Sequence, residues 1–384
     1  MTLPIVREPA QQRGLSASAA SRSDLAASYG RPVGLLYGDT AVAAIAAGDA
    51  LPLAGGPIAF GALDLIRRDV EAIVVRTVAV GDLDPAILPD GLLDRLTRPR
   101  WPVWTAGGAA CDGSVAAGVP APAIMGIVNV TPDSFSDGGR FVSRDAAISQ
   151  GRRLAEEGAD ILDIGGESTR PGAAEVSVAE EIDRVVPVIE ALAADGHRVS
   201  VDTRKAPVMR AALAAGAAIV NDVSALTFDP EASNLLAGCD CPVVLMHMRG
   251  EPGTMQTDPR YACAPLEVFD ELSDRLAAAQ DKRVARDRLV VDPGFGFAKT
   301  PAHNVQVTAW LSLLHGTGRP ILFGASRKSS IGSLSRGEPA DARLPGSIAL
   351  ALTAMEQGAQ TIRVHDAAET AQAFALRRAI LATS

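Results

Sequence analysis

From residue 123 onward, the chain repeats one order of hydrophobic and polar positions. A short apolar run is followed by a polar residue, a loop and a helix rich in alanine and leucine. Several of these helices close on a glycine, as at Gly158, Gly216 and Gly358, which is typical of helix C-termini. The order predicts eight strands, at residues 124–128, 161–164, 198–201, 218–220, 243–246, 289–291, 321–323 and 361–364.

Eight strands that alternate with helices over residues 123–384 predict a TIM-type (β/α)8 barrel. A doubly wound open sheet has the same periodicity, and the pattern alone does not separate the two folds. In both folds the loops at the carboxyl ends of parallel strands build the active site.

The first part of the chain, residues 1–122, does not follow this order. Its pattern predicts strands at 33–37 and 71–78, and helices at 39–47, 62–69 and 85–96. A stretch rich in proline and glycine at 99–122 predicts a linker or a hairpin-like segment that leads into the barrel. We therefore expect a small mixed α/β extension of unknown role at 1–122, followed by a catalytic barrel domain at 123–384.

Charge and composition argue against a nucleic-acid-binding, membrane or secreted protein. The net charge of −9 argues against a nucleic-acid partner. No apolar run reaches the ~18 residues of a membrane span, and the N-terminus lacks the apolar segment of a secretory signal. The four cysteines show no CxxC spacing, which favours reduced thiols. These features predict a cytoplasmic protein without a membrane partner.

Polar residues follow nearly every predicted strand. They are Asn129, Asp163, Asp202, Asn221, His247, Asp292, Lys328, Arg363 and His365. Because the carboxyl ends of barrel strands converge, these side chains predict one pocket with several acceptors and a cationic rim. A neighbouring carboxylate and amide can recognise a heterocycle, and a same-face Arg/His pair suits a phosphate or diphosphate.

Two polar loops follow the first two strands. The first, TPDSFSDGG at 131–139, is longer than an ordinary connection and carries Phe135 and Asp137. The second, ESTRPG at 167–172, contains Arg170, which could clamp an anion or stack on an aromatic ring. No HExxH, GxSxG or P-loop motif is present, so we expect chemistry without a protein nucleophile. A Mg²⁺ ion held by Asn129 and a substrate diphosphate would be sufficient.

Eight short segments of the chain, taken in order, resemble motifs of the dihydropteroate synthase family. They are NVTPDSFSDGG, GGESTRPGA, SVDTRK, NDVSAL, LMHMRG, DPGFGF, SRKS and IRVHD. The resemblance implies a TIM barrel that transfers a pterin-methyl group from its diphosphate to 4-aminobenzoate. It also implies inhibition by sulfonamides, a Mg²⁺ cofactor and a homodimer. The compact members of the family begin near the first barrel strand, so the extension departs from their pattern.

The resemblance assigns roles residue by residue. It implies that the pterin is bound by Asp202, Asn221, Asp292 and Lys328. It implies that the diphosphate is bound by Asn129, Arg363 and His365, with Asn129 also meeting the metal. The implied 4-aminobenzoate pocket comprises Phe135, Thr169, Arg170, Pro171 and Ser326, and the implied catalytic set is Phe135, Asp137, Thr169, Arg170 and Lys328.

Two alternatives remain at this point. Folate-binding barrels of corrinoid methyltransferases also hold a pterin between strand-end Asp and Asn residues, but they have no use for a diphosphate site. The segments NVTPDSF and SRKS and the pair Arg363 and His365 argue against them. A non-catalytic pterin-binding paralogue that acts through its extension is the second alternative.

Overall fold

The structure, a computed structural model, describes residues 2–8, 28–56, 58–100, 121–130, 140–168, 175–251 and 253–383. The side chains of residues 140–143 are not described. Within these ranges, the chain forms a small mixed sheet followed by a barrel. Among the described residues, no helix has the length and apolar character needed to cross a membrane.

The N-terminal sheet has five strands, in the order β1-β5-β4-β2 with β3 paired to β4. The strands are β1 (Ile5–Arg7), β2 (Tyr29–Leu36), β3 (Leu51–Pro52), β4 (Ala59–Arg68) and β5 (Ile73–Ala79). Two helices accompany them, at Gly38–Ala47 and Leu92–Thr97. The mixed α/β character expected of the extension is thus confirmed. The predicted linker lies mostly outside the described residues, and the division at residue 122 stays a prediction.

The prediction of a helix at residues 62–69 is wrong, because this segment belongs to the central strand β4. Its backbone pairs with β2 on one side and with β5 on the other. The buried Asp64 accepts hydrogen bonds from Arg31 of β2 (Nε–Oδ2, 3.2 Å) and Thr77 of β5 (Oγ1–Oδ1, 2.5 Å). Pairing on both edges and neutralisation of one buried charge outweigh the local helix propensity.

The helix predicted at 85–96 is shorter than expected. The structure has a 3-10 turn at Pro85–Ile87, an extended Leu88 and a helix only from Leu92. Leu88 precedes Pro89, and a residue before proline is disfavoured in the helical region, so the helix starts later.

Eight parallel strands form the barrel, in the order β11-β10-β9-β8-β7-β6-β13-β12. They are β6 (Ala123–Asn129), β7 (Ile161–Gly165), β8 (Val199–Asp202), β9 (Ile219–Asp222), β10 (Val243–Met246), β11 (Leu289–Asp292), β12 (Leu322–Phe323) and β13 (Thr361–Val364). A parallel bridge from Val291 to Ile321 joins β11 to the start of β12. The predicted barrel is confirmed, and the open sheet is excluded.

Helices surround these strands, at Arg140–Glu156, Val178–Ala194, Ala206–Ala214, Pro230–Ala237, Ala264–Asp281, Pro301–Ala309, Ser329–Leu334, Leu344–Glu356 and Ala367–Leu381. A 3-10 helix at Leu311–Thr317 leads into β12.

The barrel interior changes from apolar to polar along the strands. Its lower layer is an apolar cluster of Met125, Ile161, Ile219, Val244, Val290 and Leu322. Since side chains alternate across a strand, positions two residues further on point into the same interior. There three of the strands carry Asp163, Asn221 and Asp292, and β13 carries Arg363 two residues after the buried Thr361. The apolar layer therefore forms a floor under a polar pocket.

The extension packs against the outside of the barrel. The Arg31 guanidinium lies 4.4 Å from the Trp310 ring centroid, and Ser312 donates to the Pro32 carbonyl at 2.9 Å. One apolar cluster joins β4 and β5 to the helix Ala264–Asp281 and to Leu313. The extension and the barrel thus share a hydrophobic core.

Candidate active site

Four neighbouring strands bring their ends to one level. Asn129 of β6 is in register with Gly165, Gly165 with Asp202, and Asp202 with Asn221. This alignment is the consequence of parallel pairing between strands that stop at the same edge. The side chains that the sequence places in separate motifs therefore line one rim.

Arg363 of β13 forms ion pairs with carboxylates of β7 and β8. Its Nε donates to Asp163 Oδ2 at 2.6 Å, and its Nη2 donates to Asp202 Oδ2 at 2.7 Å. Asn221 Nδ2 donates to the same Asp163 oxygen at 3.0 Å. Asp163 is fully buried, whereas 15% of the Asp202 side chain is exposed. Asp163 therefore orients the arginine and the amide, and Asp202 presents a carboxylate to the pocket.

Two carboxyl groups have raised pKa values. Burial raises the pKa of Asp202 to about 7, with a further rise from Asp163, while Arg363 opposes the shift. Burial also raises the pKa of Asp292 to about 6, although the Gly294 amide donates to Asp292 Oδ1 at 2.7 Å. Perturbed pKa values grouped in a pocket are typical of functional sites.

Lys328 lies on the other side of the pocket. Its ammonium is 4.0 Å from the Phe297 ring centroid, a cation–π contact. It also acts electrostatically on both Asp202 and Asp292. A cation held against an aromatic ring and facing two carboxylates is placed to bind a flat polar ring.

Ser326 and His365 pair at the end of β13. Ser326 Oγ lies 3.0 Å from His365 Nδ1 and accepts from the His365 amide at 3.2 Å. Burial and the neighbouring Arg363 lower the pKa of His365 to about 3, so its imidazole is neutral near pH 7. The same-face arrangement expected of Arg363 and His365 brings one cation and one neutral donor to the rim.

The structure brings together eight of the predicted site residues. They are Asn129, Asp202, Asn221, Asp292, Ser326, Lys328, Arg363 and His365. Five others lie outside the described residues, so their roles stay predictions: Phe135, Asp137, Thr169, Arg170 and Pro171.

Asn129 has surroundings that suit a hard cation. A Cβ built on Gly165 would lie 3.7 Å from Asn129 Oδ1 and 3.8 Å from Asp202 Oδ2. The missing side chain of Gly165 therefore leaves space that two oxygen atoms face. Among the described residues, no three His, Cys, Asp or Glu side chains are grouped to hold a metal. Asp202 Oδ2 also accepts from Arg363, which leaves Asn129 Oδ1 as the candidate metal ligand. Because Mg²⁺ can take few protein ligands and complete its shell with water and phosphate, the Mg²⁺ site stays a prediction centred on Asn129.

Sequence reasoning did not identify Lys299. This lysine is 2% exposed, and its Nζ lies 2.9 Å from His247 Nδ1. The signal that could have found it is a lone cation between the apolar, glycine-rich DPGFGF segment and the helix start at Thr300-Pro301. Lysine is almost never fully buried unless it is paired.

Replacing Asp292 by asparagine should remove the stability cost of its buried carboxylate. The ionised carboxylate is disfavoured by burial, so its cost to folding grows as pH rises from the unfolded-state value of 3.8 through about 6. We expect Asp292→Asn to keep the Gly294 hydrogen bond, to gain about 1–3 kcal/mol of stability at pH 8 and to gain nothing below pH 4. Urea denaturation at both pH values measures this, with the exposed Asp281→Asn as control. A loss of stability at pH 8 would contradict the assignment.

Comparison with known proteins agrees with this geometry. A family model described as "Pterin binding enzyme" matches residues 125–365. The dihydropteroate synthase of Escherichia coli strain K12 is 46% identical over 261 residues, which cover 68% of this chain and 92% of that protein. The dihydropteroate synthase of a Synechocystis species is 43% identical over 250 residues, or 65% of this chain and 86% of that protein.

Solved structures give the same result. The Xanthomonas albilineans dihydropteroate synthase with 4-aminobenzoic acid is 51% identical, with a TM-score of 0.65 over 69% of this chain and 94% of that chain. The Yersinia pestis enzyme in a sulfonamide complex is 47% identical, with a TM-score of 0.63 over 66% of this chain and 92% of that chain. The family model matches residues within the barrel and leaves the extension outside. The chain therefore belongs to the pterin-binding enzymes and, within them, to the dihydropteroate synthase family.

Proposed function

We propose that this chain condenses (7,8-dihydropterin-6-yl)methyl diphosphate with 4-aminobenzoate to give 7,8-dihydropteroate and diphosphate. The observation that carries the proposal is the grouping of Asp202, Asn221, Asp292 and Lys328 in one pocket above the apolar floor. Relatives that bear this enzyme's name align over about nine-tenths of their length.

The pocket supplies the donors and acceptors that a pterin ring requires. Ionised Asp202 and Asp292 can accept hydrogen bonds from ring and amino N–H groups. The Asn221 amide, held by its bond to Asp163, offers its carbonyl oxygen as a further acceptor. Lys328 can donate to a ring carbonyl while Phe297 holds its ammonium in place. These contacts fix the ring so that its methylene diphosphate points towards the rim.

The rim residues would stabilise the leaving group. Arg363 supplies positive charge, and neutral His365 and Asn129 supply polar contacts. A bound Mg²⁺, held by Asn129, would neutralise negative charge on the diphosphate oxygens. As the methylene C–O bond breaks, the electron-rich dihydropterin delocalises the positive charge. The arylamine nitrogen then forms the new C–N bond and loses its proton to solvent.

The loop residues complete the proposal. We infer from the resemblance that Phe135, Thr169, Arg170 and Pro171, with Ser326, form the 4-aminobenzoate pocket. Asp137 would stabilise the pterin cation electrostatically. The homodimer, the cytoplasmic location and the absence of a nucleic-acid partner stay predictions from the sequence.

A coupled assay tests the function. Mixing the purified protein with both substrates and Mg²⁺ should release dihydropteroate and diphosphate in equal amounts. Chelation of the metal should suppress the reaction, and a sulfonamide should compete with 4-aminobenzoate. Methyl transfer from methyltetrahydrofolate to an added corrinoid, without diphosphate release, would favour the methyltransferase alternative. Pterin binding with neither reaction would favour the non-catalytic paralogue.

A further inference from the structure

Lys299 is buried directly behind the pterin pocket. Its ammonium lies 2.9 Å from His247 Nδ1 and donates to the carbonyl oxygens of Gly294 at 3.1 Å and Phe297 at 3.0 Å. A lysine ammonium has three N–H donors and no acceptor. The three contacts therefore use its full donor capacity inside the protein.

The neighbours of His247 determine which of its ring nitrogens carries the proton. His247 Nε2 lies 3.0 Å from Glu271 Oε2, and an ionised carboxylate can only accept. The proton of the neutral imidazole is therefore on Nε2, which leaves Nδ1 to accept from Lys299. Although burial opposes it, hydrogen bonds from His247 and Arg249 lower the pKa of Glu271 to about 2. The series Glu271, His247, Lys299 thus has one consistent direction of donation.

The two carbonyls that Lys299 binds belong to the segment 293–298, which links β11 to the next helix. Its backbone has positive φ at Gly294 (64°), Gly296 (81°) and Ala298 (48°). Ala298 is strained there because its Cβ disfavours this region, and a fixed contact is needed to hold such a conformation. The segment follows Asp292 and carries the Phe297 ring that holds Lys328. Its shape therefore sets two walls of the pterin pocket.

We propose that Lys299 is a positioning residue, which closes the segment 293–298 and so places Asp292 and Phe297 against the pterin. The inference rests on the proposed function and goes beyond it, because Lys299 acts without touching substrate. A hydrophobic residue could fill the same volume, but it would leave the Gly294 and Phe297 carbonyls without this donor.

The arrangement makes pterin binding sensitive to pH. The charged and titratable groups that face Lys299 are Asp292, Glu271, His247, His303, Arg249 and Lys328. Burial lowers the pKa of Lys299 to about 7, against a smaller rise due to Asp292. Above that pH the neutral amine has only two N–H donors for three partners. If His247 donated from Nδ1 to the neutral amine instead, its Nε2 would carry a lone pair that faces the Glu271 carboxylate. The contacts that close the segment 293–298 therefore weaken above this pH.

Lys299→Met is the decisive variant, with the exposed Lys282→Met as matched control. We expect the KM for pterin diphosphate to rise about 10–100-fold in Lys299→Met, while the KM for 4-aminobenzoate stays within about twofold. The thermal midpoint should fall only slightly, because the removal of a buried charge partly offsets the loss of three hydrogen bonds. A purely structural lysine would alter both KM values to the same extent. Unchanged kinetics, or an equal change in both KM values, would overturn the proposal.

A binding measurement separates this proposal from the proposed function. Calorimetric titration with 6-hydroxymethyl-7,8-dihydropterin needs no turnover. Asp202 and Asp292 titrate near the same pH in both proteins, so the informative quantity is the ratio of the dissociation constants of the two proteins. Lys299→Met should bind the pterin more weakly than the unmodified protein below about pH 7, and the difference should shrink as pH rises through that value, because the unmodified protein then loses the Lys299 charge. Equal affinity and equal pH dependence in both proteins would contradict the role of Lys299. Failure of the unmodified protein to make dihydropteroate, with the difference in affinity preserved, would contradict only the proposed reaction.

Discussion

Arg363→Met should destabilise the protein by about 3–5 kcal/mol at pH 7 and abolish turnover. Arg363 donates to Asp163 at 2.6 Å and to Asp202 at 2.7 Å, and Asp163 is fully buried. Without the guanidinium, two carboxylates face each other in a low-dielectric interior, and the loss of a buried partner costs more than an ordinary hydrogen bond. The rim also loses its cation for the diphosphate. Urea denaturation and the coupled assay measure the two effects.

The comparison variants show whether the effect comes from the charge network. Arg336→Met removes a guanidinium that is 90% exposed and paired with Glu338, and should change stability by less than about 0.5 kcal/mol. Adding Asp163→Asn to Arg363→Met should recover a large part of the stability, because it removes one uncompensated charge, but should not restore turnover. If Arg363→Met is as stable as Arg336→Met, the network does not hold the barrel rim together.

Eight parallel strands could be predicted from sequence because each is short, apolar and closed by a polar residue, although this pattern alone does not separate a barrel from an open sheet. The predicted 161–164 and 361–364 segments match β7 and β13 to within one residue. Asp202, Asn221 and Asp292 could be placed in one pocket for the same reason, since strand ends converge in parallel barrels. The position of the pocket follows from this local pattern, whereas the reaction and the residue roles are predicted from the family resemblance.

The remaining features depend on contacts between distant segments. Residues 62–69 look helical because nothing local shows that Arg31 and Thr77 donate hydrogen bonds to Asp64 from two neighbouring strands. The contact between Lys299 and His247 joins residues that are 52 positions apart in the sequence. It also depends on the segment 293–298, which has three residues with positive φ. Only the folded chain brings such partners together, so periodicity does not reveal them.

Removal of residues 1–120 should leave a barrel that aggregates. The extension covers apolar groups of the barrel that are nearly or fully buried, including Leu266 and Leu313. It also binds the turn before β12, where Arg100 Nη1 donates to the His315 carbonyl at 2.9 Å and Arg95 Nε to the Gly316 carbonyl at 2.6 Å. An exposed patch of this kind promotes association. Size-exclusion chromatography of residues 121–384 checks the expectation, and a soluble, fully active fragment would contradict it.

A matched pair of valines in the full chain tests the same shared core without a deletion. Val75 is 1% exposed and belongs to the cluster that joins the extension to Leu266 and Trp310, whereas Val70 is 95% exposed. Val75→Ala should lower the free energy of unfolding by about 1–3 kcal/mol, and Val70→Ala should lower it by less than about 0.5 kcal/mol. Because both parts bury the cluster together, tryptophan fluorescence and circular dichroism should report one transition at the same urea concentration. Two separated transitions, with only the first shifted by Val75→Ala, would show that the barrel folds independently of its extension.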